Sequence, residues 1–150
     1  MRTATDHLDI LVQLLEAGIP LASVVGLQIF ILQEEWNKLP YSSKLSLSPL
    51  KTTKVLRFID LDELFHSEIY ALRKIYGTGI AQNNYYILSY CRNQGITLVT
   101  SDDIISKIAE GLKIEVRRPE AFGYDIAMKI KDEPEVPVKI RVKKKNNMST

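Results

Sequence analysis

Two adjacent carboxylates follow a short, β-branched apolar run in the last third of the chain. Residues 96–100 read ITLVT, and Asp102 and Asp103 come just after them. If this run is a central strand of a parallel sheet, its carboxyl end lies where such sheets bind ligands. The functional interpretation is therefore that Asp102 lies at a ligand-binding cleft, which Asn84 would also line. The alternative is that these acids only cap the following helix and complement its dipole.

The elements that position these residues alternate between helix and strand. Residues 96–100 are bounded by Gly95 and by polar residues, as in a buried parallel strand. The alternation predicts βαβ units, and hence an α/β fold with a parallel sheet of about four or five strands. Predicted helices span 7–17, 28–36, 62–76, 85–93 and 103–112, and predicted strands span 21–25, 55–60, 96–100, 114–116 and 136–142. Residues 1–5 (MRTAT) look too polar for a central strand, 41–53 are predicted to be a loop, and 120–130 favour no single element.

Length and composition fit one ordinary globular domain. The chain has 150 residues, of which 45% are hydrophobic and 25% charged, as expected for a folded domain of average composition. The single Cys91 excludes an internal disulfide and a zinc cluster, so a reducing cytoplasm is the expected location. No run is apolar enough to span a membrane and no secretory signal is visible, so no membrane partner is expected.

The net charge of +2 gives no general argument for nucleic-acid binding, but the charge is unevenly distributed. Residues 129–145 contain seven basic and three acidic residues. This basic stretch favours electrostatic contact with RNA phosphates, although a Lys-rich terminus is also often only solvated.

The segment 79–116 resembles the C-terminal half of the PIN domain, a small α/β nuclease fold found in RNA-processing enzymes and in toxins of prokaryotic toxin–antitoxin pairs. Members of that family have a strand that ends in Thr-x-Asp, and Thr100, Ser101 and Asp102 occupy that place here. An acidic residue opens the preceding helix in the family, and Asn84 stands at the corresponding position, 18 residues before Asp102.

Earlier segments fit the family more loosely. Family members begin with an apolar strand that ends in an aspartate, for which Asp6 is the match and Asp9 the alternate. A glutamate follows their second strand on a helix, and Gln28 falls where it is expected. The resemblance covers residues 55–116 and, less closely, 1–36, so the chain would be a divergent member.

The resemblance implies a three-layer sandwich and a metal-dependent endoribonuclease. In the family, clustered carboxylates hold Mg²⁺ or Mn²⁺, which activates water and stabilises charge during phosphodiester cleavage. The catalytic residues implied here are Asp6, Asp102 and Asp103, with Asn84 as a further metal ligand. Because Asn84 and Gln28 would replace carboxylates with neutral amides, metal affinity should fall. The alternative is an inactive PIN-like module that binds RNA or protein as a scaffold, and a third possibility is a small-ligand-binding α/β domain unrelated to nucleases.

The expected domain limits and partners follow from the same resemblance and from the basic stretch. Residues 1–130 form the PIN-like domain, and 131–150 form a strand-like basic tail. RNA is the expected partner, an antitoxin-like protein is a possible second one, and a homodimer through the apolar stretch 19–30 is expected. The predicted RNA contacts are Thr100, Ser101, Lys143, Lys144 and Lys145.

Overall fold

A parallel five-stranded sheet organises the chain, in a computed structural model that describes residues 1–132. The strand order is β3-β2-β1-β4-β5, and every neighbouring pair is parallel. The strands are β1 (Arg2–Thr5), β2 (Gln28–Ile31), β3 (Leu56–Phe58), β4 (Thr97–Val99) and β5 (Val116–Arg117). This confirms the predicted α/β class and the predicted number of strands. The predicted strand 136–142 and the tail lie outside the described residues.

Helices cover both faces of the sheet. They are α1 (Asp9–Glu16), α2 (Gln33–Asn37), α3 (Tyr41–Thr52), α4 (His66–Tyr76), α5 (Gln82–Gln94), α6 (Asp103–Gly111) and α7 (Pro119–Asp132). Adjacent strand residues face opposite sides of a sheet, so Leu98 packs in one apolar cluster with α4, α5 and α6, while Val99 packs in another with α1, α3 and α7. Among residues 1–132, no helix combines the length and apolar character that crossing a membrane requires.

The first residues of the chain form the central strand, contrary to the expectation from their polarity. Thr3, Ala4 and Thr5 are all buried, because β1 is hydrogen-bonded to β2 on one side and β4 on the other. Threonine is β-branched and fits a strand well, so its hydroxyl does not exclude a buried position. The Thr3 hydroxyl oxygen nevertheless has no hydrogen-bond partner among the described residues.

Three further predictions of secondary structure were wrong. Residues 41–52 form helix α3 rather than a loop, because Leu47 and Leu50 are buried against the core. The apolar stretch 28–36 begins as strand β2 and becomes helical only at α2, and 21–23 form a short 3₁₀ turn instead of a strand. The undecided segment 120–130 lies within α7.

The apolar stretch 19–30 is used by the core of the chain itself. Its members Leu21, Val24, Leu27 and Ile29 are buried in the cluster that includes α1 and α3. Val25 is an exception, with 76% of its surface exposed. The stretch therefore supplies little apolar surface for the homodimer that the sequence predicts.

Candidate active site

Parallel strands bring the residues that follow them to one edge of the sheet, the carboxyl edge. Asp6 follows the central strand β1, and Thr100 follows its neighbour β4. The last paired residues of these strands, Thr5 and Val99, are register partners, so Asp6 and Thr100 leave the sheet side by side. Only 3% of the surface of Asp6 is exposed.

Thr100 connects the two predicted acids. Its hydroxyl donates a hydrogen bond of 2.8 Å to Asp6 Oδ2 and accepts one of 3.1 Å from the backbone N–H of Asp102. The ring nitrogen Nε2 of His7 lies 3.9 Å from the same Asp6 oxygen. The other oxygen, Asp6 Oδ1, is buried and has no partner among residues 1–132. A buried polar atom without a partner is rare in folded proteins and calls for an explanation.

The surroundings of Asp6 oppose the charged form of its carboxyl. Burial raises the pKa of this carboxyl above its ordinary value, and the nearby charge of Asp102 raises it further, while the Thr100 hydrogen bond and His7 act in the opposite direction. Asp6 does not cap a helix. Helix α1 starts at Asp9, and the residue before it, Leu8, makes no side-chain cap.

Asp102 and Asp103 have different surroundings. Asp102 Oδ1 accepts hydrogen bonds of 2.8 and 3.0 Å from the backbone N–H groups of Ile104 and Ile105, and therefore caps α6. Asp102 Oδ2 has no partner in the part of the chain that the structure describes. The Asp103 side chain is 87% exposed and forms a 2.9 Å ion pair with Arg118. Its hydrogen-bonded partner is thus a cation and not the Asp6 cluster.

Two glutamates that the sequence reasoning missed lie after β2, at the start of α2. The side-chain amide of Asn83 donates hydrogen bonds of 2.6 Å to Glu34 and 2.7 Å to Glu35. Lys38 Nζ lies 3.5 Å from a carboxylate oxygen of each glutamate. The hydrogen bond from Asn83, followed by the charge of Lys38, lowers the pKa of Glu34. The signal was present in the sequence, since two acids directly follow the apolar run of β2.

Gln28 does not occupy the position that the sequence alignment gave it. It is the first residue of β2 and pairs with Arg2, so it lies at the amino edge of the sheet, opposite Asp6. The acids that follow the second strand are Glu34 and Glu35. Glu34 and Glu35, and not Gln28, are therefore the side chains that follow β2 at the carboxyl edge, so the position predicted for Gln28 was wrong.

Two asparagines, Asn83 and Asn84, lie at the start of α5. The 18-residue spacing to Asp102 predicts the second of them as the metal ligand. Asn83 and Asn84 are both half-buried in the first turn of this helix. Asn83 is the one that bonds the glutamates of α2. Asn84, the predicted metal ligand, makes no side-chain hydrogen bond to another described residue. A cavity of ≈ 200 Å³ borders this cluster. Its lining consists of His7, Leu8, Asp9, Glu35, Lys38, Leu39 and Pro40.

The carboxylates at this edge could provide only part of the ligand shell of a hard cation, with water or substrate providing the rest. Within residues 1–132, no three His, Cys, Asp or Glu side chains come close enough to form a complete metal cage. Asp6 and Asp102 nevertheless each present an oxygen without a partner. Mg²⁺ is commonly held by one or two carboxylates, with waters and a substrate phosphate completing its shell. Asp6 and Asp102 are two carboxylates of the described carboxyl edge with an unpartnered oxygen to offer such an ion.

The predicted RNA contacts within the described residues, Thr100 and Ser101, differ in exposure. Thr100 is completely buried, so its role is to hold Asp6 and not to touch RNA. Ser101 is exposed, and its backbone carbonyl accepts a hydrogen bond from the Arg118 side chain. The three lysines 143–145 lie outside the described residues. Cys91 is buried, and burial, with a smaller effect from Asp6, raises the pKa of its thiol to about 12, which excludes a reactive thiolate.

Comparisons with known proteins support the fold alone. No protein-family model matches the chain, and no curated protein matches it significantly. The crystal structure of PAE2754 from Pyrobaculum aerophilum, a PIN-domain protein, is similar over 85% of this chain and 99% of that chain. The TM-score is 0.55 and the sequence identity 14%. The chain therefore has a PIN-like α/β fold with a parallel sheet in the order 3-2-1-4-5.

Proposed function

We propose that this PIN-like domain is an endoribonuclease that depends on Mg²⁺ or Mn²⁺, with Asp6 and Asp102 as the residues that hold the ion. The observation that carries the proposal is the buried Asp6 carboxylate, one oxygen of which has no partner among the described residues. A second carboxylate, that of Asp102, is near enough to raise the pKa of Asp6.

Without a cation, the buried Asp6 carboxylate beside Asp102 lowers the stability of the folded protein. Removing a carboxylate from water costs several kcal/mol after relaxation of the protein. One hydrogen bond to a charged group, such as that from Thr100, returns about 1.5–3 kcal/mol. Part of the cost of burying Asp6 therefore remains, and repulsion from the nearby charge of Asp102 adds to it. A divalent ion would satisfy Asp6 Oδ1 and remove the repulsion together.

The chain's own residues would prepare the site before any ion arrives. The Thr100 hydroxyl holds Asp6 and the backbone of Asp102 in one arrangement, and the cap on α6 fixes the Asp102 side chain. Glu34 and Glu35 are candidates to add negative potential beside them. When bound, the ion would supply water activation and charge stabilisation at the phosphate.

Mn²⁺ titration by calorimetry together with cleavage of a labelled single-stranded RNA tests the proposal. Asp6→Ala and Asp102→Ala should each abolish cleavage and weaken Mn²⁺ binding at least tenfold. Asp9→Ala is the matched control, because Asp9 is close in sequence but exposed at the start of α1, and it should retain both properties. Cleavage that persists in EDTA, or that survives Asp6→Ala, would exclude a metal site at Asp6.

A second candidate function is an inactive PIN-like scaffold that binds RNA or protein. The observation that favours it is Asn83, a neutral amide that ties Glu34 and Glu35 together beside Lys38. These contacts satisfy the glutamates without a metal. RNA binding in EDTA, with no Mn²⁺ binding and no cleavage, would support the scaffold over the enzyme.

A further inference from the structure

Arg118 is a cation at the same carboxyl edge as the candidate metal site. It follows directly on β5, and its side chain is 47% exposed. Its Nη1 donates hydrogen bonds to the Ser101 carbonyl at 3.2 Å and to Asp103 Oδ1 at 2.9 Å. Ser101 and Asp103 flank Asp102 in the sequence. The guanidinium is thus anchored to the loop that carries a proposed metal ligand.

The anchoring leaves one edge of the guanidinium unused. The Nε and Nη2 groups of Arg118 have no partner in the described part of the chain. These two donors are parallel and match two oxygens of one phosphate. A side chain already held through Nη1 also loses less conformational entropy when a phosphate binds.

The charge of the edge explains why an RNA strand needs such a cation. Asp6 and Asp102 place negative charge where the scissile phosphate would lie, and Asp103 adds more beside them. A polyanion would be repelled from that edge before a metal ion is bound. Arg118 supplies an opposite charge within the same loop cluster.

We propose that Arg118 binds an RNA phosphate next to the scissile one, and that Asp103 is a positioning residue which orients the guanidinium. This inference rests on the proposed function, because it names a substrate contact of the same site. It assigns Asp103 a role different from the metal ligand that the sequence predicts. Asp103 then affects RNA affinity without holding the ion.

The test is binding of a fluorescent single-stranded RNA in EDTA, where no cleavage interferes. Arg118→Gln should weaken binding about tenfold and reduce the slope of log affinity against log salt by about 0.7, as expected for one lost phosphate contact. Arg118→Lys keeps the charge but not the paired donors, so it should keep the slope and lose part of the affinity. Thermal melting of each variant checks that it is folded.

Arg92→Gln is the matched control. Arg92 is 48% exposed and makes one 2.9 Å ion pair, to Glu68, so its surroundings resemble those of Arg118. It lies near the end of α5 that leads into the amino end of β4, away from Asp6 and Asp102. Its replacement should leave RNA affinity unchanged. Equal losses in the two glutamine variants, or no loss in Arg118→Gln, would overturn the inference.

Asp103→Asn separates the two roles of Asp103. If it positions Arg118, the variant should still bind Mn²⁺, and RNA affinity in EDTA should fall although one negative charge is lost, because the guanidinium loses its ionic partner. If Asp103 is instead a metal ligand, Mn²⁺ affinity falls and metal-free RNA affinity does not fall. Absence of cleavage in the parent protein, with Arg118-dependent RNA binding retained, would refute the nuclease and leave the phosphate contact standing.

Discussion

Replacing Asp6 by asparagine should make the metal-free protein more stable while removing its proposed activity. The Asp6 side chain is 1% exposed and makes one strong hydrogen bond, from Thr100. The amide of Asp6→Asn keeps the shape, and its oxygen still accepts a hydrogen bond from Thr100. It removes the burial of a charge, but its NH₂ group takes the place of the unpaired Oδ1 and has no acceptor among the described residues. Burial of a carboxylate costs several kcal/mol, its hydrogen bond returns about 1.5–3 kcal/mol, and an unpaired buried donor costs about 1–3 kcal/mol, so we expect a small net gain of about 1 kcal/mol at pH 7. For a chain of this length the Tm should rise by about 2–4 °C.

The pH dependence of the Asp6→Asn effect has a definite sign. Because burial raises the pKa of Asp6 above 3.8, the native state keeps a proton that the unfolded state has already lost between the two pKa values. The free energy of unfolding of the parent therefore falls as pH rises through that window, and this contribution is absent in Asp6→Asn. The advantage of the variant should appear at neutral pH and vanish at acid pH.

Melting curves in EDTA and in Mn²⁺, from about pH 4 to pH 8, measure both effects. In Mn²⁺ at ten times its Kd the parent should gain about 1.4 kcal/mol through linkage, and Asp6→Asn should gain much less. Asp9→Asn, at an exposed position, should reproduce neither change. A lower Tm for Asp6→Asn at pH 7 in EDTA would show that the carboxylate is already compensated, and the energetic case for a cation at Asp6 would be refuted.

Three further substitutions test neighbouring contacts. Thr100→Val removes the hydroxyl that bonds Asp6 and should cost about 1–3 kcal/mol in guanidinium denaturation, with loss of cleavage; an unchanged midpoint would contradict this. Asn83→Asp removes two donors and places a third carboxylate beside Glu34 and Glu35, so the Tm in EDTA should fall, and an unchanged Tm would exclude that contact. Asn84→Asp should enlarge the Mn²⁺-dependent rise in Tm if its side chain faces the metal site, and a rise no larger than that of the parent would remove Asn84 from the site.

The later half of the fold could be predicted from sequence because its signals are local. Gly95 ends α5 in the left-handed conformation, with φ 66°, and this is a position that glycine adopts without strain. The β-branched run after it forms β4, and the acid that follows caps α6, as strand and cap preferences require. Each of these elements is determined by residues within a few positions of it.

The earlier half could not be predicted as well because its elements depend on distant partners. Strand β1 consists of polar or small residues and is a strand because β2 and β4 flank it. The pattern of residues 28–36 predicts one helix and does not indicate the change from β2 to α2. The sequence therefore points to Gln28 after the second strand, where the structure has Glu34 and Glu35.

The glutamates and Asp6 differ in how their negative charges are neutralised within the protein. This difference makes Asp6 the residue on which the nuclease hypothesis depends. Lys38 is 62% exposed and pairs with Glu34 and Glu35 along one helix, where such pairs contribute about 0.3–0.5 kcal/mol and exchange readily with solvent ions. Asp6 is buried, and no lysine or arginine of residues 1–132 forms an ion pair with it. Neutralising the glutamates therefore leaves Asp6 with the Thr100 hydroxyl and the His7 ring, and Asp6 Oδ1 still has no partner among the described residues. The scaffold hypothesis accounts for the glutamates, but it gives no reason to retain a buried carboxylate with an unpaired oxygen, and a bound cation does.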